Sequence, residues 1–361
     1  MKKAKLFEQL TSGKIRCLAC QRYCQITDDQ VGFCQTRINK KGGLFSLTYG
    51  ILSGLQIDPI EKKPLYHFYP GSEALSFGSY GCNYRCKQCL NSYCSWGSPA
   101  RDILQTLKAR SEKKGTTTKN LKFVKPEEIV SLAINKGCAA VAFTYNEPSI
   151  WVEYVYDCAK LCRHKGLHTL FVTNGSWSEE CLKFLSPVIE ATNIDIKGFY
   201  PETYAKMGAF FGDLLKITEL AVKKYKIFTE LTTLVIPTIN DSEKELEQIA
   251  QWIVVKLGPD VPWHLSRFDP DLAPDKEFRK LSDTPIKTLK KAYEIGKKAG
   301  LKHIYVWAPP KSFGEELFSI GNTYCPQCGK LVIRRNAWEP EIVGLDKNKC
   351  KFCGFKLNLR L

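Results

Sequence analysis

The stretch Gly81-Cys82-Asn83-Tyr84-Arg85-Cys86-Lys87-Gln88-Cys89 follows directly on the apolar run Leu75–Tyr80, and its three cysteines are spaced C-x3-C-x2-C. The apolar run predicts a strand, so the thiols fall in a loop at its C-terminal end. A short loop of this kind can wrap one face of an iron–sulfur cubane. Four irons and three thiolates leave one iron without a protein ligand, free to chelate a substrate and pass it an electron. A cluster held by four thiolates mostly shuttles electrons. Taken alone, the triplet also fits structural zinc, or a four-cysteine cluster completed by Cys94.

Outward from this loop the chain alternates strand-like and helical patterns. Candidate strands are Leu75–Tyr80, Ala140–Tyr145, His168–Thr173, Asn193–Ile196, Ile227–Val235, Trp263–Arg267 and His303–Trp307; helical patterns include Glu127–Lys136, Ile150–Lys165, Glu179–Ile189, Ser242–Lys256 and Pro285–Ala299. The alternation predicts an α/β fold, a parallel sheet with right-handed crossovers curled into a full or partial (β/α) barrel, with its chemistry at the C-terminal strand ends. Residues 1–70 precede the pattern as a cysteine-rich N-terminal module, 71–320 form the barrel, and 321–361 form a compact module with its own cysteine pairs. Within the barrel, residues 97–120 are polar and basic and read as an inserted exposed loop or helical excursion.

The chain has 361 residues, enough for one large domain with small appendages. No apolar run approaches the roughly 18 residues of a membrane span. The basic N-terminus is interrupted by Glu8 and Gln9 before any signal-like apolar core, so the chain reads as cytoplasmic, with no membrane partner. In that compartment the 16 cysteines point to metal ligation and not to disulfides. Eleven of them fall into three groups, and Cys94, Cys138, Cys158, Cys162 and Cys181 read as buried structural thiols. The net charge is +16, and it is localised: residues 1–41 hold nine Lys/Arg against three Asp/Glu, 101–125 eight against two, and 321–361 eight against three. The rest of the chain is close to neutral. Such a pattern suits RNA or an acidic protein gripped by the appendages, or simply a solvated Lys-rich surface.

The cluster loop resembles the signature of the radical S-adenosylmethionine (SAM) superfamily, and later segments match that superfamily's activating enzymes in order. Tyr145-Asn146-Glu147-Pro148 is similar to the Gly-Gly-Glu-Pro element that holds the methionine amino group, with Tyr145 and Asn146 in place of the glycines. Thr173-Asn174-Gly175 and Asp195-Ile196-Lys197 are similar to elements lining the SAM pocket. Val235-Ile236-Pro237 is similar to a turn against adenine, and Trp263-His264 to a strand whose histidine lies near the SAM carboxylate. The resemblance thus implies cofactor-binding roles for Asn146, Glu147, Thr173, Asn174, Asp195, Lys197, Val235, Ile236 and His264. Gln88 stands where the superfamily often has an aromatic residue against adenine, so it must do something else there or leave that contact to Tyr84.

Further matches narrow the resemblance to the radical SAM component of the AmmeMemoRadiSam system. They are Cys17-Leu18-Ala19-Cys20-Gln21-Arg22-Tyr23-Cys24, Gly32-Phe33-Cys34, Asp58-Pro59-Ile60-Glu61-Lys62-Lys63-Pro64-Leu65 and Asn322-Thr323-Tyr324-Cys325-Pro326. That family keeps company with Memo-like and AMMECR-like proteins, so partners of those kinds are implied.

Cys325, Cys328, Cys350 and Cys353 form two C-x2-C pairs, each beside a glycine, as in the knuckles of a zinc ribbon. Cys17, Cys20, Cys24 and Cys34 are a fourfold donor set open to two readings, a second zinc or an auxiliary Fe–S cluster.

The chemistry these resemblances imply is reductive cleavage of SAM. Cys82, Cys86 and Cys89 hold a [4Fe–4S] cluster whose open iron binds the amino and carboxylate groups of SAM. An electron from a flavodoxin- or ferredoxin-like donor then yields methionine and a 5′-deoxyadenosyl radical that abstracts a substrate hydrogen. The substrate is expected to be a macromolecule, either a protein to be activated or modified or an RNA; a small molecule processed with Memo-like and AMMECR-like partners is the alternative. A non-enzymatic Fe–S or zinc protein that binds nucleic acid would keep the charge and the ribbon but leave Glu147, Asp195 and His264 without a purpose.

Overall fold

The computed structural model describes residues 1–112, 121–307 and 321–361. Its centre is one eight-stranded sheet. The strands are β1 (Ser53–Pro59), β2 (Glu73–Gly78), β3 (Ala140–Phe143), β4 (His168–Thr173), β5 (Ala191–Asp195), β6 (Phe228–Val235), β7 (Trp263–Arg267) and β8 (Ile304–Trp307). They lie in sequence order across the sheet, and β2 to β8 are all parallel. β1 pairs antiparallel with β2, so a strand from the segment expected to be the N-terminal module forms the sheet's edge.

The helices are α1 (Ser98–Ser111), α2 (Pro126–Asn135), α3 (Val152–His164), α4 (Glu179–Leu185), α5 (Pro201–Lys206), α6 (Leu214–Lys223), α7 (Glu243–Trp252) and α8 (Ile286–Ala299). Strand parity sorts the side chains. Leu75, Phe77, Val141, Phe143, Phe171, Ile194, Leu231, Val235, Trp263 and Leu265 belong to the large core shared with the helices. Ala74, Ala140, Ala142, Leu170 and Ala191 point the other way, onto Ile60, Leu65 and Phe68, which close the barrel where its strands begin.

Where they are described, residues 97–120 take the helical form of the two expected and are not an exposed loop. α1 buries Ala100, Leu104 and Leu107, and Leu107 packs on Ile38, Leu47 and Ile51 of the N-terminal segment. Residues 113–120, with Lys113, Lys114 and Lys119, lie outside the described residues. The N-terminal module consists of two small three-stranded sheets. It is tied to α3 by Arg37, whose guanidinium meets Glu153 at 2.7 and 3.2 Å with both side chains buried.

The C-terminal module joins the closed end of the barrel. Arg360 exchanges backbone hydrogen bonds with His67 and Tyr69, and Arg335 donates to Tyr66 O (2.8 Å) and Thr323 Oγ1 (2.7 Å).

Removing one partner of a buried ion pair strands the other charge, a loss of roughly 3–5 kcal/mol. Arg37→Met should therefore lower the unfolding free energy by about that amount, whereas Arg37→Met with Glu153→Leu should regain most of it. Denaturant midpoints check this; a single variant as stable as the wild type would show that the pair does not anchor the module.

Candidate active site

A cleft opens at the C-terminal ends of the barrel strands, with a cavity volume of about 360 Å³. That falls in the range of a small-molecule or cofactor site. One wall is the loop after β2, which supplies Cys82, Cys86, Gln88, Cys89 and Leu90. The opposite walls come from successive strand ends: Thr144 to Glu147 after β3, Val172 to Asn174 at β4, Asp195 and Lys197 at β5, Thr232 and Leu234 on β6, and Ser266 to Asp269 at β7.

The cluster loop has no regular secondary structure, so its backbone groups must find partners elsewhere. Asn146 supplies two, accepting from Ser79 N (3.2 Å) and donating to Gly81 O (2.8 Å). Arg85 donates to Cys82 O (2.6 Å) and to Phe33 O of the N-terminal module (2.8 Å). The turn after α5 acts as a template, with Arg85 N donating to Gly208 O (3.0 Å), Lys87 N to Met207 O (2.9 Å) and the Tyr84 hydroxyl to Phe210 O (2.7 Å). Gly208 has φ +77°, and a Cβ there would stand 2.3 Å from Arg85 O, so no larger residue permits this approach.

Glu147 is buried at the cleft wall. Its Oε1 accepts from Ser149 N (3.1 Å) and Thr173 Oγ1 (2.9 Å), and its Oε2 from Asn174 N (2.8 Å) and Thr173 Oγ1 (2.8 Å). Burial raises its pKa, and these donors work against that rise. The single Thr173 proton is shared between the two oxygens, so the donors number three, and a carboxylate's roughly four acceptor sites leave capacity for an ammonium. Lys197 pairs with Asp195 at 2.9 Å. Burial disfavours its charge, but Asp195 and Cys86 outweigh burial and hold the ammonium well above its usual pKa. Burial pushes the Cys86 thiol up to about 12 and raises Cys82 and Cys89 as well. Burial thus opposes thiolate formation at all three, and metal binding supplies the charge that offsets it.

Nine of the expected residues therefore share one cleft: Cys82, Cys86, Cys89, Asn146, Glu147, Thr173, Asn174, Asp195 and Lys197. Four do not line it. Val235 lies on the outward face of β6, packed in the helix-side core, so the inward Thr232 and Leu234 take the place expected of it. Ile236 is buried with Met207, Phe268, Ala273 and Phe278. His264 is deeper in the barrel, its Nε2 bonded to Glu230 Oε2 at 2.7 Å, while Ser266, two residues on along the same face, reaches the cleft. Tyr84 is fully buried, with its ring edge-on to Phe210. Cys94 does not line the cleft either; its thiol donates to Asn91 O (3.3 Å).

Gln88 went without a role in the sequence, yet it does line the cleft. Its amide nitrogen donates to Met207 Sδ (3.3 Å), while its buried Oε1 has no partner among the described residues. A buried acceptor left unpaired is costly, and a ligand donor would relieve it. The donor set as a whole suits an Fe–S cluster with one open iron, beside a carboxylate and an ammonium for a zwitterionic ligand.

The C-terminal thiols are arranged differently. Among the described residues, Cys325, Cys328, Cys350 and Cys353 are the set of Cys, His or carboxylate groups whose ligand atoms all lie within 4.8 Å of one another. Two of their sulfur pairs stand 3.6 and 3.7 Å apart. A tetrahedral ion with bonds of about 2.3 Å spaces its sulfurs by ~3.8 Å, so the four could hold a single metal ion.

A parallel barrel whose first βα loop presents three thiols to charged groups on successive strand ends defines a cofactor-dependent enzyme with a metal cluster at its mouth. Residues 77–253 match the Radical SAM superfamily model, and the chain belongs to that superfamily. It is thus a radical SAM enzyme, a class that implies SAM and a [4Fe–4S] cluster. An uncharacterized protein of Methanocaldococcus jannaschii is 37% identical over the whole of both chains. A second protein of that organism, designated a candidate glycyl-radical enzyme activating enzyme, is 26% identical over 64% of this chain and 87% of its own. Among solved structures, a radical SAM methyltransferase from Sphaerobacter thermophilus aligns with a TM-score of 0.47 at 13% identity, covering 73% of this chain and 71% of its own. No helix among the described residues is long and apolar enough to cross a membrane.

Losing a charge-assisted bond to the methionine ammonium would cost roughly 1.5–3 kcal/mol. Glu147→Gln should accordingly weaken SAM binding by about 10- to 150-fold in equilibrium dialysis; unchanged affinity would mean that Glu147 only braces Thr173 and Asn174. At the other end of the chain, Cys353→Ala should remove one metal ion per molecule and loosen the C-terminal module while leaving the barrel's circular dichroism intact. Retention of that metal would contradict the fourfold site.

Proposed function

We propose that this radical SAM enzyme acts on a macromolecular substrate, abstracting a hydrogen atom from a protein in the manner of activating enzymes. The observation that carries this reading is the open mouth of the cleft and what surrounds it. Leu90, Tyr93 and Leu272 are exposed there, and a neighbouring groove is lined by Tyr93, Trp96, Arg101, Leu272 and Arg279. A site for a small molecule would more often close over its ligand; this one offers an apolar and cationic track leading to the thiols. The similarity to a candidate activating enzyme supports the same direction.

In this reading Cys82, Cys86 and Cys89 hold the cluster, and Glu147 and Lys197 orient the charged end of SAM. When bound, cluster and SAM supply a 5′-deoxyadenosyl radical on arrival of one electron from a flavodoxin- or ferredoxin-like donor. Asn146 and the turn after α5 keep the loop fixed, Leu234 and Phe268 give the cleft an apolar wall, and Gln88 Oε1 offers an acceptor to the nucleoside. The zinc ribbon then serves as a plug for the closed end of the barrel, and Memo-like and AMMECR-like proteins are natural candidates for partners. An RNA substrate is the second reading, favoured by the basic segments and by the pairing of aromatic and arginine side chains along the rim groove.

Anaerobically reconstituted protein should convert SAM to 5′-deoxyadenosine when reduced, and the combined Cys82→Ala, Cys86→Ala and Cys89→Ala variant should not, while keeping its fold. Product formation by that variant would overturn the assignment of the cluster. The substrate classes separate by salt: binding to RNA should weaken steeply, by about 0.7 in log K per log salt for each phosphate neutralised on a single strand. Absence of RNA binding near physiological ionic strength, with 5′-deoxyadenosine formation stimulated by an acidic protein fraction, is the outcome expected for a protein substrate.

A further inference from the structure

The four N-terminal thiols line a cavity of their own, and it is separated from the SAM cleft by a single hydrogen-bonded wall. Cys17, Cys20, Cys24 and Cys34 surround it together with Arg22, Arg37 and Asn83. The C-terminal site provides a standard within the same molecule for what a single-ion site looks like, with sulfurs at 3.6 and 3.7 Å in one tight knot. The N-terminal thiols form no such knot; they stand back around a space. A cubane imposes that arrangement, because each thiolate binds a different iron and the inorganic core fills the middle. Two guanidinium groups border the space, Arg37, whose charge Glu153 meets, and Arg22, which donates to Asn83 O, and the charge of a cluster with four thiolates needs a cation such as Arg22 nearby.

The wall between the two sites is short. Asn83 borders the N-terminal cavity, and its Oδ1 accepts from Asn174 Nδ2 (2.9 Å), while Asn174 lines the SAM cleft. Cys34 and Cys82 also approach through backbone: Gly81 has φ +87°, and a Cβ there would lie 2.4 Å from Cys34 O.

We propose that Cys17, Cys20, Cys24 and Cys34 hold a second [4Fe–4S] cluster and that it hands electrons to the cluster of the SAM cleft. The relay rests on the reading of Cys82, Cys86 and Cys89 as that cleft's ligands; the occupancy of the N-terminal cavity does not. In the transfer a one-electron donor of the flavodoxin or ferredoxin class reduces the N-terminal cluster from the 2+ to the 1+ level. The electron then moves to the cleft cluster, the first returns to 2+, and no bond or proton changes at either set of thiols.

The test uses full-length protein made with both iron and zinc supplied and kept anaerobic. The combined Cys82→Ala, Cys86→Ala and Cys89→Ala variant should retain about four irons and four sulfides and show, when reduced with dithionite, a paramagnetic resonance signal indifferent to SAM. The same variant free of iron, with two zincs per chain, would overturn the proposal. Iron and sulfide in the wild type give a measure independent of any variant: about eight of each is expected, and about four overturns it. In Cys20→Ala with Cys24→Ala, the remaining signal should shift on adding SAM; if it does not, the reading of the cleft fails while the iron count of the first variant still decides the N-terminal site. The relay requires the two clusters to sense each other, so fully reduced wild type should show spin–spin broadening absent from both variants. A simple sum of the two variants' spectra would overturn it.

Discussion

The loop from Ser79 to Cys89 must place three thiols at the barrel mouth without any secondary structure to hold its backbone. Buried peptide groups cannot be left unpaired, so the loop's position is set by whatever supplies its hydrogen bonds. Those partners come from three directions: Asn146 after β3, the turn after α5, and Arg22 of the N-terminal module, which donates to Asn83 O. The rest of the architecture can be understood as what keeps these three in place. The barrel fixes Asn146, the α5 turn needs a glycine at 208 to come close, and the N-terminal module is clamped to α3 by a buried ion pair.

This dependence explains how far the sequence could be read. Seven of the sheet's eight strands, all but β1, were visible because β-branched and aromatic runs alternate with amphipathic stretches, and the ends of His168–Thr173 and Trp263–Arg267 coincide with β4 and β7. Parity was harder. Resemblance singled out Val235 and His264 by position in a motif, but a strand side chain's direction follows from its register in the sheet. Val235 falls outward, and His264 falls inward one layer too deep, where Glu230 already claims it. The helices α5 and α6 escaped notice because residues 197–226 mix Gly, aromatic and Lys residues without a clear apolar period. With them went the template turn at Met207–Phe210. Gln88, read only as a departure from a pattern, turns out to present a buried acceptor that could have been found only by accounting for every polar atom.

The cysteines divide by geometry, not by count. Three line an open cleft, four converge on a point, and four surround a space, although the last two groups look alike as donor sets in the sequence. Spacing along the chain determines which thiols can meet. Distance in the fold determines what they can hold, since one ion draws its sulfurs together and a cubane keeps them apart. The placement of the N-terminal set against Asn83 and Gly81 makes it a neighbour of the cleft and not a remote appendage.

The account's central claim is that the loop leaves one iron open for the amino and carboxylate groups of SAM. Electron–nuclear double resonance on the reduced protein with SAM labelled by nitrogen-15 at the methionine amino group tests it most directly. A strong nitrogen coupling to the reduced cluster, lost in the combined Cys82→Ala, Cys86→Ala and Cys89→Ala variant, is the predicted result. Bound SAM with no such coupling would contradict it.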